Sequence, residues 1–169
     1  GRGKYLDRNG YEKATALMLK HLDRVVEIAG KYGFTPMMWS DMFFRPLNGG
    51  AYYNGENTAH VPEEVAAGVP KNLELVYWDY YRDSKNAYDT MFERHAEFTG
   101  NKTVFAGGAW KWTGFAPKNR VSCHRTELAL ASAKEHGITD VFLTMWGDDG
   151  AECPWNSVLP ALSYSADLA

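Results

Sequence analysis

Apolar positions along this 169-residue chain fall into two patterns that take turns, a spacing of about 3.6 residues and short unbroken runs. Between residues 11 and 32 they recur at Ala14, Met18, Leu22, Val25, Ala29 and Tyr32, with charges between them, which predicts an amphipathic helix ended by Gly33. Residues 34–42 are short and apolar and predict a buried strand, with Pro36 tolerable only near its start. Residues 43–58, carrying Asn48-Gly49-Gly50 and Asn54-Gly55, predict a long loop. A short helix at 61–67, a strand at 73–79 and an amphipathic helix at 84–98 follow. Next come a strand at 103–109, a loop at 111–121, a helix capped by Ser122 and running to His136, a strand at 140–145 and a last helix from Pro154. Residues 1–10 show no period and read as loop.

The order is one helix and then strand-helix four times. That alternation implies an α/β fold with a parallel sheet and right-handed crossovers, covered on both faces. A doubly wound sheet would carry a glycine-rich phosphate turn after an early strand, and neither G-x-G-x-x-G nor G-x-x-x-x-G-K occurs. A (β/α)8 barrel puts its chemistry at the C-terminal ends of all its strands. Each predicted strand here ends in the same kind of cluster: Met37-Met38-Trp39-Ser40-Asp41, Tyr77-Trp78-Asp79-Tyr80-Tyr81, Gly107-Gly108-Ala109-Trp110-Lys111-Trp112 and Met145-Trp146-Gly147-Asp148-Asp149-Gly150-Ala151-Glu152. The steps between Trp39, Trp78, Trp110 and Trp146 are 39, 32 and 36 residues. The barrel is therefore favoured, and since eight units take about 250 residues, four units make half of one.

Composition adds limits. With 45% hydrophobic and 23% charged residues the chain is ordinary for one globular domain, residues 1–169. A net charge of -3 gives no basic footprint for nucleic acid or an anionic membrane. No apolar run approaches the roughly 18 residues of a membrane span and no signal-peptide pattern opens the chain, so it reads as soluble, its compartment set by whatever precedes Gly1. Cys123 and Cys153 lack metal-ligand spacing and read as free thiols. His21, His95, His124 and His136 fall in predicted helices and His60 in a loop, with no H-x-x-H or H-E-x-x-H pattern; neither metal nor cofactor is expected.

Aromatics make up 14% of the chain, and most tryptophans stand beside Gly, Asp or Lys rather than other apolar residues. Indole faces stack on the apolar faces of a pyranose while carboxylates accept from its hydroxyls, so a rim of Trp and acids suits a sugar. Strand alternation sends Tyr77, Asp79 and Tyr81 one way and Trp78 and Tyr80 the other. An Asp at a strand end suits a polar site better than a helix interface, which selects the set of Tyr77 and Asp79. Asp41, Asp148, Asp149 and Glu152 are further acids at strand ends.

These four clusters, in this order, resemble the later strands of glycoside hydrolase family 20, the β-N-acetylhexosaminidases, over nearly the whole chain. The resemblance implies the C-terminal half of a catalytic barrel, strands five to eight, that helps release terminal N-acetylhexosamine from β-glycosides. The sugar's own 2-acetamido oxygen would attack the anomeric carbon, with a Glu protonating the leaving oxygen and a neighbouring Asp orienting the acetamide. It implies Tyr77 bonding the acetamide oxygen, and Trp39, Trp110 or Trp112, and Trp146 walling the pocket. Asp79 and Asp148 would bond acetamide or hydroxyl groups, with Glu152 the alternative to Asp148, and Asp41 a further acid at the rim. No Asp-Glu dipeptide occurs, and residues 1–7 look like the loop just after that pair. The chain is thus expected to be a fragment, inactive alone, whose partners are the upstream half of its barrel, β-linked N-acetylhexosamine glycans and, through its open edges, further copies of itself. A non-catalytic carbohydrate-binding module using the same tryptophan rim is the alternative.

Overall fold

The computed structural model describes residues 3–148 and 152–169. In chain order it contains α1 (Lys4–Asn9), α2 (Ala14–Lys31), β1 (Met37–Trp39), α3 (Asp41–Phe44), a 3-10 turn (Gly55–Asn57), α4 (Glu63–Gly68) and β2 (Glu74–Trp78). It continues with α5 (Lys85–Ala96), β3 (Thr103–Gly108), α6 (Asn119–Glu135), β4 (Val141–Thr144), a second 3-10 turn (Trp155–Val158) and α7 (Leu159–Leu168). The four strands form one parallel sheet in the order β1-β2-β3-β4. The fold is α/β with a four-stranded parallel sheet, an arrangement compatible with half of a barrel.

Several boundaries differ from the sequence expectation, each for a local reason. Residues 4–9 form the exposed helix α1, closed at both ends by Gly3 and Gly10 at positive φ; a short exposed helix needs no apolar period. The first strand shrinks to three residues. Pro36 lacks an N–H at its start, and the chain turns helical at Asp41, with Ser40 still donating its N–H to Val76 O (2.9 Å). The expected loop over 43–58 is pinned by Phe43, Phe44 and Tyr53, all buried. α6 begins a turn before Ser122, so Ser122 is not its cap. Its hydroxyl instead accepts the Trp110 N–H (2.9 Å) and donates to Lys118 O (3.1 Å), tying the loop after β3 to the helix. Pro160 lies in the first turn of α7, where a missing N–H costs nothing.

Alternation along the strands divides the sheet into two unequal faces. Leu75, Tyr77 and Phe105 point into the main core with Leu22 and Val26 of α2, Met91 and Phe92 of α5, and Ala129 and Ala133 of α6. The other face carries the smaller Val76, Val104 and Ala106, capped by Trp78. The two edges of this face meet: the rings of Trp39 on β1 and Phe142 on β4 are 6.2 Å apart, although two strands separate them. The sheet bends toward this side, so the small residues lie on its concave face.

The end of β3 has no room on either face of the sheet. A Cβ on Gly107 would stand 2.6 Å from Leu143 Cδ2, and one on Gly108 would stand 2.8 Å from both Trp112 and Tyr80. Gly108→Ala should destabilise the chain by about 1–3 kcal/mol through overpacking. Gly30→Ala, on the exposed face of α2 with nothing within 4 Å, should stabilise it by roughly 0.5–1 kcal/mol. Urea unfolding of the two variants checks the opposite signs.

Candidate functional site

Beyond the C-terminal ends of the strands, the concave face opens into a cleft of about 440 Å³ lined by Trp39, Asp41, Tyr52, Trp78, Tyr80, Tyr81, Trp112, Trp146 and Asp148. All four strand-end segments contribute, and Tyr52 comes from the loop between α3 and α4. The rings form two contiguous walls. Trp39 packs on Trp146 (6.2 Å), and Tyr52, Trp78, Tyr80 and Trp112 follow one another at 5.5, 5.3 and 5.4 Å.

Trp78 is the best-fixed member. Its Nε1–H donates to Asp41 Oδ1 at 2.9 Å, a partly buried charge-assisted bond that holds the indole against the cleft and gives the Asp41 carboxylate a partner. Burial raises the pKa of the Tyr80 phenol, whose hydroxyl faces Thr144 and Trp146. Tyr81 is half exposed at the mouth, and its ring meets Trp110 edge-on at 5.2 Å.

The residues singled out in the sequence divide here. Trp39, Asp41, Trp112, Trp146 and Asp148 line the cleft. Trp110 stands behind it, stacked on Trp112 at 4.7 Å, with its Nε1–H on Tyr80 O (3.1 Å) and the Arg125 guanidinium over its ring at 5.1 Å, so Trp112 is the lining member of that pair. Glu152 is exposed and does not line the cleft. Asp149 lies outside the described residues.

Tyr77 and Asp79 require a correction. Both point to the helix side of β2, not into the cleft. Tyr77 is fully buried with its ring 5.4 Å from Phe92, 5.0 Å from His95 and 5.5 Å from Phe105. An Asp is tolerated in this layer because its acceptors are met: Asp79 Oδ2 takes the Tyr77 hydroxyl (3.2 Å) and Arg82 Nε (3.4 Å), and Oδ1 takes the Tyr81 N–H (2.9 Å). Burial still raises the Asp79 pKa against these donors, and burial pushes the Tyr77 phenol well up, so it stays a donor. The other members of the Tyr77–Tyr81 string, Trp78 and Tyr80, are the cleft residues. The signal that separates the two sets is size, since Val76 shares the face of Trp78 while Leu75 shares that of Tyr77, and the concave side takes the smaller residues. Tyr52, in a loop, carried no periodic signal.

Two buried polar groups lie close by. Lys111 is 1% exposed with its Nζ 4.1 Å from the centre of the Trp155 ring and no hydrogen-bond partner among the described residues. His95 and Ser40 are in hydrogen-bond contact (Nε2 to Oγ, 2.7 Å), the spacing of a base and nucleophile, but both are sealed under the cleft floor at 1% and 0% exposure and cannot meet a substrate. Among the described residues no group of three His, Cys, Asp or Glu could hold a metal ion, and no helix is long and apolar enough to cross a membrane.

No known family model matches the chain, and no curated protein matches it. The cleft is thus interpreted from its own residues: two walls of flat aromatic faces, phenol hydroxyls and two carboxylates, suited to stacking one face of a ring and bonding hydroxyls at its edge.

Burial lowers the His95 pKa from 6.5 to about 4. The folded chain holds this imidazole neutral while the unfolded chain protonates it near 6.5, so its contribution is complete above about 6.5 and is lost as pH falls toward 4. The groups around it, Ser40, Tyr53, Tyr77, Phe44 and Phe98, carry no charge to offset this. Stability measured from pH 7 to 4.5 should fall by an amount approaching about 3 kcal/mol, at about 1.4 kcal/mol per pH unit, and His95→Gln should flatten that slope.

Proposed function

We propose that the cleft binds the terminal N-acetylhexosamine of a β-glycoside and that the chain is the C-terminal half of a (β/α)8 glycosidase barrel of the β-N-acetylhexosaminidase type. One observation carries this reading: the ends of four parallel strands bring Trp39, Trp78, Trp112 and Trp146 together with Asp41 and Asp148 on a single cleft. Its volume lies within the roughly 300–1,000 Å³ of small-molecule sites. The resemblance of the four strand-end motifs adds the reaction type.

On this reading the chain supplies the sugar-binding wall. Indoles stack on the pyranose, Asp148 accepts from a ring hydroxyl, Asp41 keeps Trp78 in place, and Tyr52, Tyr80 and Tyr81 offer phenols to the acetamide and hydroxyls. The general acid and the acetamide-orienting carboxylate belong to an Asp-Glu pair, which these 169 residues do not contain, so they would come from the upstream half of the barrel. The acetamide oxygen would attack the anomeric carbon as the leaving oxygen takes the proton of the Glu, and water would open the resulting ring.

One observation favours the second reading, a carbohydrate-binding module without catalysis: the buried carboxylate at the cleft, Asp41, already serves the Trp78 indole and is not placed as a free acid or base. The two separate in one assay. Extended upstream by the other half barrel, the chain should cleave an aryl β-N-acetylglucosaminide and be blocked by a thiazoline inhibitor. Sugar binding without turnover or inhibitor binding would mark a module. The isolated chain presents both sheet edges, β1 and β4, and a partly exposed concave face, with Met37, Trp39, Phe142 and Trp146 each more than a third exposed. Light scattering should therefore show self-association, and a monomer in dilute buffer would count against an uncovered half barrel.

A further inference from the structure

Under the cleft a buried hydrogen-bonded chain runs through Tyr53, Ser40 and His95. The Nδ1 of His95 is 2.6 Å from Met91 O, and a carbonyl only accepts, so Nδ1 carries the proton and Nε2 is an acceptor. The Ser40 hydroxyl, 2.7 Å from Nε2, donates to it and shares that proton with Val76 O at 3.0 Å. The Tyr53 hydroxyl, 3.1 Å from Ser40 Oγ, then donates into the serine; burial pushes its pKa well up, so it remains protonated. All three side chains are at least nine-tenths buried.

What these residues hold in place gives the network its meaning. Ser40 lies between Trp39 and Asp41, and both line the cleft; Tyr53 follows Tyr52, another lining residue, and its own ring packs edge-on against Trp78 at 5.5 Å. Three segments that are remote in sequence, the end of β1, the loop before α4 and helix α5, meet at one serine oxygen. We infer that Ser40, Tyr53 and His95 are positioning residues that set the placement of Trp39, Asp41, Tyr52 and Trp78, one half of the cleft, without touching a ligand. The inference rests on the reading of this cleft as the binding site.

The test compares Tyr53→Phe and Ser40→Ala with Tyr88→Phe in the same chain. Tyr88 is also a fully buried tyrosine, and its hydroxyl donates to Arg82 O at 3.3 Å, outside the network and the cleft. Tyr53→Phe differs by one oxygen and keeps the ring, so it remains informative should Ser40→Ala fail to fold. With no ligand present, the tryptophan bands at the long-wavelength edge of the near-ultraviolet circular dichroism, where tyrosine does not absorb, should change in the two network variants and not in Tyr88→Phe, at matched far-ultraviolet spectra. With N-acetylglucosamine titrated against tryptophan fluorescence, the network variants should bind about 5-fold more weakly, the scale of one lost buried hydrogen bond, and Tyr88→Phe should bind as the unchanged chain does. Unaltered dichroism in Tyr53→Phe, or equal changes in Tyr88→Phe, would overturn the inference. Absence of any sugar response in the unchanged chain would instead remove the carbohydrate assignment, and the dichroism comparison would still decide the network.

Discussion

The curl of the sheet is the constraint on which both core and cleft depend. Strands lie about 4.8 Å apart, so in a flat sheet the first and fourth would be roughly 14 Å from each other. Here Trp39 and Phe142, on those two strands, have their ring centres 6.2 Å apart, a gap closed by the bend of the sheet together with the reach of two aromatic side chains. A surface bent this far has less room inside than outside. Val76, Val104 and Ala106 fill the inner side, Leu75, Tyr77 and Phe105 the outer, and on the inner side Gly108 sits where even a methyl group would clash with Trp112 and Tyr80. The aromatic residues beyond the strand ends converge for the same reason, since the bend aims them at a common volume.

That geometry puts large rings over a floor that must not shift, and polar groups supply the fixing. Asp41 holds the Trp78 indole, Asp79 ties β2 to the turn that follows it, and Ser40 joins β1, the loop of Tyr53 and α5. Each is buried and each has partners, the condition under which a buried polar group specifies a position rather than merely costing stability. Lys111 differs. Its Nζ lies over the Trp155 ring and has no hydrogen-bond partner among the described residues.

Much of the fold was legible in the pattern of apolar residues. The four strand-helix units and the parallel sheet follow from it, as does the position of the tryptophans at strand ends. What escaped were features with no period. α1 buries nothing, so it leaves no apolar trace, and α3 follows directly on a strand whose apolar run continues into it. In β2 polarity and size point opposite ways: an Asp at a strand end suggests the open side, although Tyr77, the Tyr81 N–H and Arg82 satisfy it in the helix layer. Val76, two residues before Trp78 and on the same face, held the better clue. Tyr52 enters the cleft from a glycine- and asparagine-rich loop, where local sequence says little about direction.

The central claim is that these aromatic walls are a sugar-binding surface. Its most direct test is site-resolved, following the six tryptophan indole N–H resonances of the 15N-labelled chain as N-acetylglucosamine is added. Binding in the cleft should shift Trp39, Trp78, Trp112 and Trp146 and leave Trp155, which does not line it, in place. Resonances that stay fixed at every sugar concentration, or a response confined to Trp155, would contradict it.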